Sequence, residues 1–187
     1  MANIKIGVLV GSLRKDSYSK MMFRALKEVA PAKLELENVD ISKLALYNQD
    51  FDDPAQTPAE YTTFRDELKK YEGFLFITPE YNRSVPAVLK NALDVGSRPY
   101  GESVWNGKPG AVISLSIGAL GAFGANHHLR QTLVFLNVPT MPQPEAYIGN
   151  VTELFDESGS ITDPSTRKYL AEVMESFSAW VELHKKV

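Results

Sequence analysis

Apolar residues along this chain fall either into short continuous runs or into stripes at helical spacing, and the two alternate from end to end. Ile4 to Val10 is unbroken after Lys5, the pattern of a strand buried on both faces. Met22, Leu26 and Val29 then recur at helical spacing, behind Asp16 or Ser17 as cap and ahead of Ala30-Pro31 as terminator. Lys33 to Val39, with Leu34 and Leu36 alternating, predicts a second strand, and residues 42–56 read as loop. Thr57-Pro58-Ala59-Glu60 offers a capping box with proline at the first helical position, for a helix whose stripe is Tyr61, Phe64, Leu68 and Tyr71. Gly73 to Thr78 is again wholly apolar, and a proline-punctuated turn leads to a helix from about Pro86 to Val95. Ala111 to Ser116 makes a further strand, followed by a glycine-rich loop and a helix carrying Leu129, Leu133 and Leu136. A short strand at Val138 to Met141 or at Ala146 to Ile148 comes next. Asp163-Pro164 starts the last helix, with Leu170, Val173, Phe177 and Val181 inward.

Buried strands alternating with amphipathic helices through short loops predict an α/β fold with a parallel sheet and helices on both faces. Five strands and five helices suit a three-layer, doubly wound, flavodoxin-like sheet of order 2-1-3-4-5, over residues 1–187 as one domain. In that topology a ligand sits beyond the carboxyl ends of the strands, where the order switches between strands 1 and 3. Only the loops after strands 1, 3 and 4 then line the crevice, and these are the loops of unusual composition.

The first, Gly11-Ser12-Leu13-Arg14-Lys15-Asp16-Ser17-Tyr18-Ser19, runs into a helix N-terminus, where unpaired N–H groups and the helix dipole favour an anion. Hydroxyls of Ser12, Ser17 and Ser19, with the fork of Arg14, suit a phosphomonoester. The loop matches neither G-x-G-x-x-G nor G-x-x-x-x-G-K-[ST], which disfavours a tightly held dinucleotide and an ATP-hydrolysing P-loop. The second loop, Thr78 to Ser84, is bracketed by Pro79 and Pro86, so its backbone is stiff enough to aim polar groups at a flat heterocycle. In the third, Ser116-Ile117-Gly118-Ala119-Leu120-Gly121, glycines remove side chains where a planar ligand approaches. Each loop alone also fits a plainer role: Ser17 as a cap with Arg14 solvated, a proline-bracketed turn, a glycine turn. Their coincidence at one switch point is what points to a site.

Composition narrows the chemistry. With 187 residues, 44% of them hydrophobic, the chain can bury one full core. A formal charge of −3 gives no general attraction to nucleic acid or to an anionic membrane, so a phosphate site must be local. The absence of cysteine removes disulfides, iron–sulfur ligation, thiolate catalysis and cysteine-bound zinc, and suits a reducing, cytoplasmic setting. The start MANIKIGVLVGS lacks a cationic region and a cleavage signal, so no secretory leader is expected, and the stretch 109–125 is too rich in glycine and serine for a membrane span. His127 and His128 would point about 100° apart on a helix. With His184 the only other histidine, no metal site is expected. Asp50, Asp52 and Asp53 read as solvated turn residues, and Trp105 and Trp180 as packing or interface residues.

Three segments, GSLRKDSYS (11–19), TPEYNRSVPAVLKNALD (78–94) and SIGALG (116–121), with LRQTLVFLNV (129–138), resemble the NADPH-dependent FMN reductase family of flavodoxin-like proteins. Within it they resemble the NAD(P)H:quinone, chromate and azo-dye reductase branch. The resemblance implies a non-covalent FMN whose phosphate lies on Ser12, Arg14, Ser17, Tyr18 and Ser19. Its ring system would lie against Pro79, Glu80, Tyr81, Asn82 and Ser84, with Ser116, Gly118 and Ala119 closing the site. It implies NAD(P)H as co-substrate and ping-pong transfer to quinones, free flavin, chromate, ferric chelates or azo dyes. No side chain is then an obligate acid, and Tyr81, Asn82 and Arg98 act as positioning groups. It also implies a homodimer or homotetramer with the flavin near a subunit boundary, which Arg98, Tyr100 or Trp105 would reach. The chain departs from the family's usual pattern at Val95, often tryptophan, at Ser19, often asparagine, and at Ala122, often glycine. Two readings of other classes stand beside the enzyme: a flavodoxin-type electron carrier, for which −3 is only mildly acidic, and a flavin-binding redox sensor.

Overall fold

A computed structural model describes residues 3–156 and 158–184. Its five strands are β1 (Ile4–Val10), β2 (Leu34–Asn38), β3 (Gly73–Thr78), β4 (Gly110–Leu115) and β5 (Ala146–Ile148). They form one sheet in the order β2-β1-β3-β4-β5, and every pairing is parallel. The helices are α1 (Tyr18–Val29), α2 (Ala59–Lys69), α3 (Ala87–Gly96), α4 (Phe123–Phe135) and α5 (Pro164–Leu183).

Alternation along each strand divides the apolar side chains into two cores, one per sheet face. Ile6, Val8, Leu75, Ile77, Ile113 and Leu115 pack under α1 and α5, against Met22, Leu26, Phe177 and Val181. Leu9, Phe74, Phe76 and Val112 face α2, α3 and α4, against Phe64, Leu93, Leu129 and Leu133. Trp105 is wholly buried in the second core and donates its Nε1–H to the Leu93 carbonyl at 2.9 Å. It is therefore a core residue that cannot reach a neighbouring subunit. Trp180 is half-buried and donates to the Pro139 carbonyl.

Three local expectations are corrected. The fifth strand is Ala146–Ile148, whereas Thr140 makes only an isolated bridge to Gly110. The capping box at α2 does not form: Thr57 Oγ1 donates to the Phe51 and Asp53 carbonyls, and Pro58 stands at the N-cap, with no side-chain cap, rather than at the first helical position, which is Ala59. Asp52 is not a solvated turn residue, since it accepts from the Tyr47 hydroxyl at 2.9 Å and lies 3.7 Å from the buried Arg65 guanidinium. Asp50 and Asp53 do close local turns.

Candidate flavin site

The strand order places the carboxyl ends of β1, β3 and β4 side by side, and the three loops leaving them share one crevice. A cavity of about 200 Å³ opens there, lined by Ser12, Arg14, Ser17, Tyr18 and Ser19 from the first loop and by Pro79, Glu80 and Tyr81 from the second. Ser116 and Ile117 line it from the third, with Leu115 and Val151 beside them. Nine residues expected at the site from the sequence thus stand around one cavity. Asn82, Ser84, Gly118 and Ala119 belong to the same loops but do not line it.

Local chemistry explains the first loop. Ser17 caps α1, its Oγ accepting from the Lys20 N–H at 3.3 Å. That leaves the N–H groups of Tyr18 and Ser19 at the helix start without a partner among the described residues. Ser12 and Ser19 are buried, yet their hydroxyls have no hydrogen-bond partner among the described residues. Arg14 is not simply solvated: its Nη2 donates to the Asp16 carbonyl at 2.7 Å, and its guanidinium lies 6.0 Å from the centre of the Tyr18 ring. A positive dipole end, two hydroxyls in want of partners and a guanidinium form a donor set for an anion.

The second loop is more constrained than its prolines suggest. Tyr81 and Ser84 exchange both backbone hydrogen bonds at 3.0 Å, and Asn82 and Arg83 between them have φ of 50° and 66°. This is a two-residue turn of the primed kind, for which Asn-Gly is the favoured sequence. Glu80 turns toward the neighbouring element, where its Oε2 accepts from the Ala125 N–H at 3.0 Å. α4 has no side-chain cap of its own, because Ala122 stands at its N-cap, so Glu80 supplies one from across the crevice. Gly124 permits the approach: a Cβ there would lie 2.9 Å from Glu80 Oε2 and 3.0 Å from the Arg83 carbonyl oxygen. Ser84 Oγ stands 3.0 Å from His128 Nδ1 on α4.

Sequence reasoning missed the polar frame of the third loop. Ser116 Oγ donates to the Gly118 carbonyl and accepts from the Ala122 N–H, closing the loop on itself. Behind it, the buried Ser114 Oγ donates to the Gly121 carbonyl at 2.7 Å and accepts from Asn126 Nδ2 at 3.0 Å. The available signal was a serine inside the apolar run of β4, with an asparagine on the following helix. Gly118 has no protein atom within 4 Å of where a Cβ would stand, so no protein neighbour demands a glycine there. Beyond this loop burial pushes the Tyr147 phenol up to about 12, with Glu145 adding to it. Tyr147 keeps its proton at neutral pH and stands 3.0 Å from His127 Nε2.

A larger cavity of about 770 Å³ lies between α3 and α4, lined by Tyr47, Ser84, Lys90, Asp94, Arg98, His128 and Phe135 among others. Of the expected site residues it holds only Ser84 and Arg98. The donor set of the smaller crevice suits an anion. Arg98 lines this larger cavity, its guanidinium lying near the rings of Tyr47 and Tyr100.

Fold and crevice together define a flavodoxin-like α/β protein whose switch point gathers hydrogen-bond donors at one crevice. The family model for NADPH-dependent FMN reductase matches residues 4–153, and the chain belongs to that family. It is 53% identical over 183 residues to a quinone reductase of Pseudomonas putida, covering 97% of each chain. It is 47% identical over 178 residues to a 2-hydroxy-1,4-benzoquinone reductase of a Burkholderia species, covering 95% of this chain and 96% of the relative. Among solved structures it is similar to FerB, a flavoenzyme NAD(P)H:(acceptor) oxidoreductase of Paracoccus denitrificans. That likeness has a TM-score of 0.90 and 39% identity, covering 97% of this chain and 98% of the other.

Proposed function

We propose that the protein is an FMN-dependent NAD(P)H:quinone oxidoreductase. The observation that carries this reading is that the largely buried Ser12 and Ser19 turn hydroxyls with no hydrogen-bond partner among the described residues toward the crevice beside the open N-terminus of α1, across from a turn tied to α4. These residues fit FMN: an anion-binding end on the first loop, and stiff, backbone-rich walls on the second and third. The reductase names of relatives that span nearly the whole chain support an enzyme over a carrier.

Ser12, Arg14, Ser17, Tyr18 and Ser19 hold the 5′-phosphate. Pro79, Glu80, Tyr81, Asn82 and Ser84 form the wall beside the ring system, and Ser116, Gly118 and Ala119 close the opposite side. When bound, FMN supplies the two-electron relay between NAD(P)H and the acceptor. The chain's own residues bind and orient. Donor and acceptor use one place in turn, which makes the kinetics ping-pong, and Tyr81 and Asn82 position them. Phe135 is 89% exposed on the flank of the α3/α4 cavity and Val134 beside it 74%, an apolar surface that supports assembly as a homodimer or homotetramer. Arg98 and Tyr100 border that face and act across the boundary.

The test is steady-state turnover of FMN-loaded protein with each nicotinamide against quinones, free flavin, chromate, a ferric chelate and an azo dye. Parallel double-reciprocal lines with a quinone are the expected result. Flavin binding without turnover of any acceptor contradicts the reading.

A further inference from the structure

We propose that Arg83 takes the adenosine 2′-phosphate of NADPH and so makes the enzyme selective for the phosphorylated nicotinamide. This rests on the oxidoreductase reading above. Arg83 occupies the second central position of the Tyr81–Ser84 turn with φ of 66°, in the left-handed region that suits glycine and strains a long side chain. Strain kept at the rim of a site asks for a use. The mount is rigid: the turn closes on itself through both Tyr81–Ser84 hydrogen bonds, and α4 holds it through Glu80 to the Ala125 N–H and Ser84 to His128. That fixes where the Arg83 side chain leaves the backbone, and its exposed guanidinium reaches into solvent from there.

Its donors are available. The Arg83 side chain is 80% exposed, and its nearest acid, Glu80 Oε1, stands 3.7 Å from Nη1. The other Glu80 oxygen is already engaged by α4. The competing cations are placed elsewhere. Arg14 and Lys20 donate to carbonyls within the first loop, Lys15 stands on that loop beside the residues assigned to the FMN phosphate, and Arg98 lies in the α3/α4 cavity. Arg83 is the one cation in the loops after β3 and β4. A chain of net charge −3 offers a second phosphate no general attraction, so recognition must come from a local, forked donor. NADH presents only a hydroxyl at that position and gains nothing from it.

Calorimetric titration of 2′,5′-ADP and of 5′-AMP into FMN-loaded protein tests this independently of turnover. The wild type should bind 2′,5′-ADP about tenfold more tightly than 5′-AMP, as expected for a charge-assisted contact. Arg83→Gly, which fits the turn, and Arg83→Gln, which keeps the length, should both abolish the difference. The ratio of kcat/KM for NADPH over NADH should fall about tenfold through KM, and the wild-type ratio should shrink with added salt. An unchanged ratio, or equal weakening of both nucleotides, overturns the proposal. Absence of turnover with either nicotinamide overturns the oxidoreductase reading instead, while the titration still decides the role of Arg83.

Discussion

Ala122 holds a left-handed backbone, with φ of 60°, immediately before α4, and no glycine relieves it. Glycine is the residue that this conformation favours. Ala122→Gly is expected to stabilise the protein by about 1 kcal/mol, read as a raised thermal midpoint; a lowered midpoint would show that the buried methyl matters more than the strain. Arg14 is the other residue whose surroundings set a prediction. Arg14→Ala removes both the tether to the Asp16 carbonyl and the fixed charge at the phosphate end, so FMN should bind about tenfold more weakly in a fluorescence titration. Unchanged affinity contradicts the phosphate assignment. At this scale the residues that gather at the crevice were legible only through the coincidence of the three loops at one switch point, because each loop alone also fits a plainer role. What Glu80 does was not legible, because its partner is a backbone N–H 45 residues away.

Elements were legible wherever their signals are local. Continuous apolar runs gave β1, β3 and β4, and helical spacing gave the five helices. Caps made by neighbouring residues followed, as at Ser17 on α1 and Asp163 on α5. The local pattern misleads where a side chain has a competing partner, as Thr57 has in the preceding loop, and is silent where a cap comes from a distance, as at α4. Glu80→Ala should therefore destabilise the fold by about 1 kcal/mol and loosen the second and third loops together. Faster hydrogen exchange at Ala125 and in the turn 81–84 is the check. Lys108 ends α2 in the same non-local way, donating to the Leu68 carbonyl at 2.8 Å. Burial pushes its ammonium down from 10.5 to about 8. Below pH 8 folded and unfolded chains both carry that proton and the burial penalty is felt in full. Between pH 8 and 10.5 only the unfolded chain still holds it, so this contribution to stability rises with pH through that window. Lys108→Met should remove that rise from a series of thermal midpoints taken across it.

For the whole molecule, strand order does the work that no single loop does. Parallel strands in the order 2-1-3-4-5 bring the loops that leave Val10, Thr78 and Leu115 to one rim, an order that the alternation and count of strands and helices suited. The α3/α4 cavity was not legible, because its walls come from helix faces whose outward residues, such as His128 and Phe135, follow no pattern that singles them out. The apolar surface beside it predicts association: sedimentation of the purified chain should give a dimer or tetramer, and Phe135→Glu should shift it toward monomer. Electron passage from NAD(P)H through bound FMN to a quinone is read by anaerobic mixing of FMN-loaded protein, first with NADPH and then with a quinone. The visible flavin absorbance should be lost on the first addition and restored on the second, each faster than steady-state turnover. An absorbance that NADPH leaves unchanged would contradict that electron passage.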